Sequence, residues 1–282
     1  MKDVQRDADL PYILGHSEHE MKRLRSQAML LEPITRRYLQ DAGIVEGMRV
    51  LDVGSGAGDV AFLAAELVGV TGEVVGSDVS PTAIAAASRT AVERELKNVQ
   101  FLEGNPAELK FDGKFDAVIG RYILPFQPNP AAMLRGLARH LVDGGLIVFH
   151  EPDFSCVRSI PPAPLYDRAC SWIVDTTRLS GQSWSFLDKV CPAFLEAGLP
   201  APTLRMQTFV GTAPHTREWL RAVGDMVESL LPTMQQFNVA TPDEVEVSSL
   251  RDRLWKEVTE LDSVVVGRSE LGIWTRVDSG VV

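Results

Sequence analysis

Between Val53 and Asp59 the chain reads Val-Gly-Ser-Gly-Ala-Gly-Asp, three glycines at alternate positions behind one apolar run and ahead of an amphipathic one. Glycine lets the backbone turn sharply and approach a ligand with no Cβ in the way. A helix that starts after such a loop offers its first N–H groups unpaired. A strand, a glycine loop and a helix start, in that order, suit a nucleotide-like ligand at the carboxyl end of the first strand of a parallel sheet.

The rest of the chain supports that sheet. The apolar runs Arg49–Val53, Glu73–Ser77, Val99–Leu102, Phe115–Gly120 and Leu146–His150 alternate with helical patterns at 59–68, 81–96 and 129–142. Continuously apolar strands separated by helices predict a parallel sheet covered on both faces. Upstream, Ser17-Glu18-His19-Glu20 is a capping box, followed by Met21, Leu24, Ala28 and Leu31 at helical spacing. Pro33 is expected to end or kink that helix, with a second helix running to about Ala42. Downstream, a helix at 186–197, a strand at 203–210 and a last strand at Gly272–Val277 restore the alternation. The intervening segments hold the apolar stripe Trp219, Val223, Met226 and Leu230, and a second capping box, Thr241-Pro242-Asp243-Glu244. The predicted organisation is a helical cap over 1–45, a core over 46–151, insertions at 152–184 and 212–268 forming a lid, and the remainder of the core at 185–211 and 269–282.

Net charge of −10 repels nucleic-acid phosphates and anionic headgroups, so neither a nucleic acid nor a membrane is expected as partner. Lys22, Arg23 and Arg25 are the densest basic group and read as a solvated helix face. Met1–Leu10 has no apolar core of a secretory signal, and no apolar run approaches the roughly 20 residues of a membrane helix. Cys156, Cys170 and Cys191 match neither a zinc nor a redox spacing and read as reduced thiols of a cytoplasmic protein. No metal is expected.

Two ligands compete for the loop. A dinucleotide site asks for G-x-G-x-x-G/A, whereas Gly54, Gly56 and Gly58 give G-x-G-x-G with Asp59 where a small residue belongs. A carboxylate there faces a pyrophosphate badly and tolerates a cofactor with an amino-acid moiety. Asp78 ends the second strand 20 residues beyond Gly58, where a carboxylate accepts from ribose hydroxyls. Ser80-Pro81 can cap the next helix, which leaves Asp78 free for that role.

The blocks "VLDVGSGAGD", "VVGSDVS" and "FDAVIGRYILPFQPNPAAMLRGLARHLVDGGLIVFHE" together resemble the class I S-adenosylmethionine-dependent methyltransferases, most closely the ubiquinone-biosynthesis-like branch with its natural-product enzymes. The resemblance implies an α/β, Rossmann-like, doubly wound seven-stranded sheet, mostly parallel with the last strand antiparallel, capped by N-terminal helices and insertions. It implies S-adenosyl-L-methionine as cofactor, S-adenosyl-L-homocysteine as product, and a small-molecule acceptor methylated on O, N or C, with a homodimer left open. It places Asp52 near the methionine amino group, Gly54, Gly56 and Gly58 along the ligand, Asp78 on the ribose and Val79 on adenine. Arg121 falls near the methionine end. Asn105 stands where relatives often carry an Asp that reads the adenine amino group, and Pro106 removes a backbone donor beside it. Tyr12 and Gln27 are expected to close over the cofactor.

Transfer from a sulfonium needs chiefly an in-line nucleophile about 3 Å from the methyl group. Where the acceptor must lose a proton, His150 and Glu151, at the end of the fifth strand, are the candidate bases. Tyr122, Tyr166, Trp172 and His215 are candidates for the acceptor pocket. The competing readings are a non-methylating or purely binding protein that keeps the same cofactor and, more remotely, an NAD-dependent oxidoreductase.

Overall fold

The structure, a computed structural model, describes residues 31–106, 108–182 and 184–277. Tyr12, Gln27, the capping box at Ser17 and the basic group Lys22 to Arg25 lie outside the described residues. The helix called α1 here occupies 31–42 within them, passing through Pro33 and ending at Ala42.

Strands β1 (Arg49–Val53), β2 (Glu73–Asp78), β3 (Val99–Glu103), β4 (Phe115–Arg121) and β5 (Leu141–Asp153) are mutually parallel. Helices α2 (Asp59–Val68), α3 (Pro81–Glu93) and α4 (Pro130–Ala138) connect them. Side chains alternate between two faces. Val50, Val74, Ile119 and Val148 pack against α1 and α2, while Leu51, Val75, Val118 and Phe149 pack against α4 and the later helix α6 (Leu187–Glu196). The helix starts follow local chemistry. Ser80 caps α3 by accepting from Ala83 N–H at 3.3 Å, Asn129 caps α4 by accepting from Ala132 N–H at 2.9 Å, and both helices have proline in the first turn.

The sheet carries eight strands, in the order β3-β2-β1-β4-β5-β8-β6, with β7 (Thr203–Gly211) also paired to β8 (Val264–Arg276). β8 runs antiparallel to β5, as expected of the last strand. The eighth is β6 (Arg158–Ile160), a three-residue strand inside the segment expected to be all lid; it pairs antiparallel with the first residues of β8. β8 also begins eight residues before the expected Gly272. Arg268, Ser269 and Glu270 interrupt its apolar pattern, yet all three are buried, because the two charges pair with each other inside the fold.

Between and beside these strands lie α5 (Pro164–Leu179), α7 (Arg217–Gln236), α8 (Pro242–Val245) and α9 (Val247–Glu260). The Thr241 capping box opens α8, and Glu246, with φ of 46°, separates it from α9. α5, α7 and α9 pack on one another around Tyr166, Ile173, Val223, Leu230, Leu254 and Val258, a core distinct from the two sheet faces. Among the described residues no helix is long and apolar enough to cross a membrane.

Candidate active site

The glycine loop closes over the ends of β1 and β2. Gly54, Gly56 and Gly58 take φ of 64°, 53° and 93°, a region that side chains disfavour. A Cβ on Gly58 would meet the rings of Phe62 and Phe101 at 2.8–2.9 Å, whereas one on Gly56 would meet nothing within 4 Å. The loop is therefore packed from beneath and open at its middle. Ser55 N–H donates to the Ser77 carbonyl at 2.9 Å, tying loop to strand.

Asp78 is not left free by the Ser80 cap. Its Oδ2 accepts from Gly56 N–H at 2.9 Å and its Oδ1 from Ser80 N–H at 2.8 Å, so the carboxylate braces the loop. Each oxygen keeps a further lone pair for a hydroxyl donor. Val79 beside it is 64% exposed. Gly104 N–H donates to the Asp78 carbonyl, which brings the exposed Asn105 to the same edge. Pro106 is buried, and its carbonyl bonds the His140 ring at 2.9 Å, so this residue turns toward the end of α4.

Asp52 lies beneath the loop, 1% exposed. It accepts from the backbone of Ala61 in the first turn of α2, while its Oδ2 has no partner among the described residues. Burial pushes this carboxyl up to about 8, against the pull of Arg121. The hydroxyls of Ser55 and Ser77 are likewise buried without partners. Three unspent oxygens under an open glycine bend make a cradle for a ligand that both donates and accepts hydrogen bonds.

Next to the cradle, a buried polar network crosses the ends of β4, β5 and β8. The His150 ring is bonded on both sides, Nδ1 to Thr35 Oγ1 at 2.9 Å and Nε2 to Glu270 Oε2 at 3.0 Å. Tyr122 OH donates to the same Glu270 oxygen at 2.8 Å, and Arg268 holds the other through Nε at 2.7 Å and Nη2 at 2.6 Å. Arg121 reaches Thr35 at 3.3 Å and Asp59 at 3.7 Å. Burial lowers the pKa of His150 more than Glu270 raises it, so the ring is neutral near pH 7. Burial works against the Glu270 carboxylate too, but Arg268, His150 and Tyr122 hold it below its ordinary value. An ionised carboxylate only accepts, so the His150 proton sits on Nε2, while Nδ1 faces the Thr35 hydroxyl, which also donates to the Leu31 carbonyl at 3.0 Å.

This geometry shows what engages the two candidate bases. Glu151 is fully buried and its oxygens accept from Ile123 N–H at 3.0 Å and Leu124 N–H at 2.9 Å. It holds the turn after β4, in which Tyr122 has a φ of 61°. His150 has no ring nitrogen left for an acceptor. Of the pocket candidates, Tyr122 belongs to the network, but Tyr166 does not; its hydroxyl donates to the Val266 carbonyl and accepts from Trp219 Nε1, both at 2.9 Å, within the helical core. Trp172 is buried in that core under Arg168, and His215 is exposed on the loop before α7. Thr35, Arg268 and Glu270 were missed. The signal available was the pair of charges two apart in an otherwise apolar stretch, which places both on one face of a strand.

Comparison with known proteins follows the same lines. Residues 44–181 match the sequence model of a family described as a methyltransferase domain. The aklanonic acid methyltransferase DauC of Streptomyces sp. (strain C5) is 38% identical over 123 residues, 43% of this chain and 56% of that protein. The demethylmenaquinone methyltransferase of Lactococcus lactis is 35% identical over 158 residues, 56% of each chain. The chain thus spans about half the length of these curated relatives. The crystal structure of the YcgJ protein from Bacillus subtilis superposes with a TM-score of 0.56 at 20% identity, covering 86% of this chain and 97% of that one. This likeness establishes the Rossmann-like fold.

Proposed function

We propose that this chain, whose residues 44–181 belong to the methyltransferase-domain family, methylates a small organic molecule at the expense of S-adenosyl-L-methionine. The observation that carries the reading is the tie between Asp78 and Gly56, which couples the strand-end carboxylate to the one loop glycine that faces open space. A nucleoside fits there, with ribose hydroxyls donating to Asp78 and the base lying against exposed Val79. A pyrophosphate does not, because the carboxylates of Asp59 and Asp78 flank the loop.

The cofactor supplies a methyl group already activated on a sulfonium. The protein's share is positioning. The glycine loop binds, Asp52 secures the start of α2 under it, and Arg121 links Asp59 to Thr35 of α1. Glu151 fixes the turn that carries Tyr122 and Ile123 beside Gly54. Holding two reactants in line contributes on the order of 7–11 kcal/mol in well-oriented systems. Methylation without a dedicated base agrees with a His150 whose nitrogens are both engaged.

Calorimetry with S-adenosyl-L-homocysteine and, separately, NADH tests the reading. The homocysteine compound is expected to bind one to one and NADH not to bind. Asp78→Ala is expected to weaken that binding by about ten- to a hundredfold, the loss of one or two hydrogen bonds to a charged group, while the protein remains folded. Binding of NADH with no affinity for S-adenosyl compounds overturns it.

A further inference from the structure

Tyr122 follows β4 with a φ of 61°, an uncommon backbone for a bulky side chain. Glycine or asparagine would take that conformation with less strain. What tyrosine adds is reach. Its ring meets that of His150 on β5 edge-on, with centres 5.8 Å apart, and its hydroxyl donates to Glu270 Oε2 on β8 at 2.8 Å. The anchor is itself held. Arg268 grips Glu270 Oε1 through Nε and Nη2, His150 Nε2 shares Oε2, and all three residues are buried. A hydrogen bond to an ionised carboxylate is among the strong ones, and its net worth is of the same order as the cost of a left-handed residue other than glycine.

The same turn meets the glycine loop through the next residue. A Cβ built on Gly54 would lie 2.2 Å from Ile123 Cδ1, so Ile123 fills space that only a glycine leaves open. Gly54, with φ of 64°, is where the chain leaves β1 for the loop. The His150 carbonyl and Glu151 hold the turn to β5 by its backbone N–H groups, and the Tyr122 hydroxyl ties it to β8 as well. We propose that Tyr122 is a positioning residue: its hydroxyl, anchored on Glu270, holds the left-handed turn so that Ile123 keeps Gly54, and with it the loop, in the shape that binds the cofactor. Arg268 and Glu270 thereby act on the loop from a strand that does not touch it. What the loop binds rests on the proposed function; the seating of Ile123 on Gly54 by Tyr122 does not.

The test compares wild type with Tyr122→Phe, which removes only the hydroxyl and leaves the pair of Arg268 and Glu270 in place. In cofactor-free protein labelled at the isoleucine δ1 methyl groups, the Ile123 signal is identified by its loss in Ile123→Val. Its nuclear Overhauser contact with the Gly54 α protons is expected to be strong in wild type and to weaken in Tyr122→Phe. Calorimetry with S-adenosyl-L-homocysteine is expected to show about tenfold lower affinity in Tyr122→Phe and in Ile123→Ala. In the Ile123→Ala background, where the contact is already gone, adding Tyr122→Phe is expected to change affinity less than about twofold. A hydroxyl that only stabilised the fold would lower the melting temperature and leave the contact and the affinity of the folded protein as they were. An unchanged contact, unchanged affinity in Tyr122→Phe, or the same loss in both backgrounds each overturns the positioning role. So does a wild type without the contact, a reading that needs no variant to fold. A wild type that does not bind S-adenosyl-L-homocysteine would instead sink the proposed function, and the contact, read without cofactor, would still decide whether Tyr122 seats Ile123.

Discussion

Glu151 carries a carboxyl into a fully buried position, and burial pushes it up to about 8 against the backbone N–H groups that it receives. Read alone, a raised pKa at a strand end beside a cofactor loop describes a general base. Read with its bonds, it describes a strut, because Ile123 and Leu124 would otherwise bury two N–H groups unpaired. Glu151→Ala should therefore destabilise the protein by about 2–3 kcal/mol in urea unfolding and reduce turnover severalfold, with the shape of the pH–rate profile preserved. Disappearance of one limb of that profile would restore the base. His150 teaches the same lesson; its residue type was legible in the sequence, but its partners come from α1 and β8, 115 and 120 residues away.

At the level of elements, α1 is locked to the sheet by a side chain that needs a hole. A Cβ on Gly272 of β8 would lie 2.6 Å from the Tyr38 ring, and Tyr38 is 1% exposed with its hydroxyl donating to the Glu270 carbonyl at 2.7 Å. The same ring meets His150 edge-on at 5.2 Å. Gly272→Ala should cost about 1–3 kcal/mol by overpacking and loosen α1. In a Tyr38→Ala background the same change should cost much less, a coupling of at least about 1 kcal/mol in a thermal or chemical unfolding cycle. Additive effects would mean that the ring and the glycine are independent. The elements themselves were largely readable, since β1 to β4, α2 and α6 fall within a few residues of their sequence patterns. β6 was not, because three residues carry no period, and the start of β8 was not, because its charges are paired across the fold instead of facing water.

Across the whole molecule the buried carboxyls make stability depend on pH. The Asp52 pKa is raised from 3.8 to about 8, so between those values the folded chain holds a proton that the unfolded chain has lost. Raising the pH through that window therefore lowers stability, by about 1.4 kcal/mol per unit from this group. Lowered Glu270 and His150 act in the opposite sense, at and below their ordinary values. Relative to Asp52→Asn, the cofactor-free wild type should lose about 5–10 °C of melting temperature between pH 5.5 and 7.5. Parallel melting curves across that range would show that Asp52 is ionised throughout. What the amino-acid sequence determined by itself was local. Glycines that need positive φ, prolines and caps that start helices, and apolar runs of strand length act through neighbouring residues, and they suffice for the doubly wound sheet and the ligand cradle. Only the tertiary structure decided which carboxyls brace backbone, that His150 has no free nitrogen, and that Arg268 and Glu270 are buried together. Burial and pairing are relations between residues far apart in the chain, and a charge cannot be assigned a role until its surroundings set the cost of removing it from water.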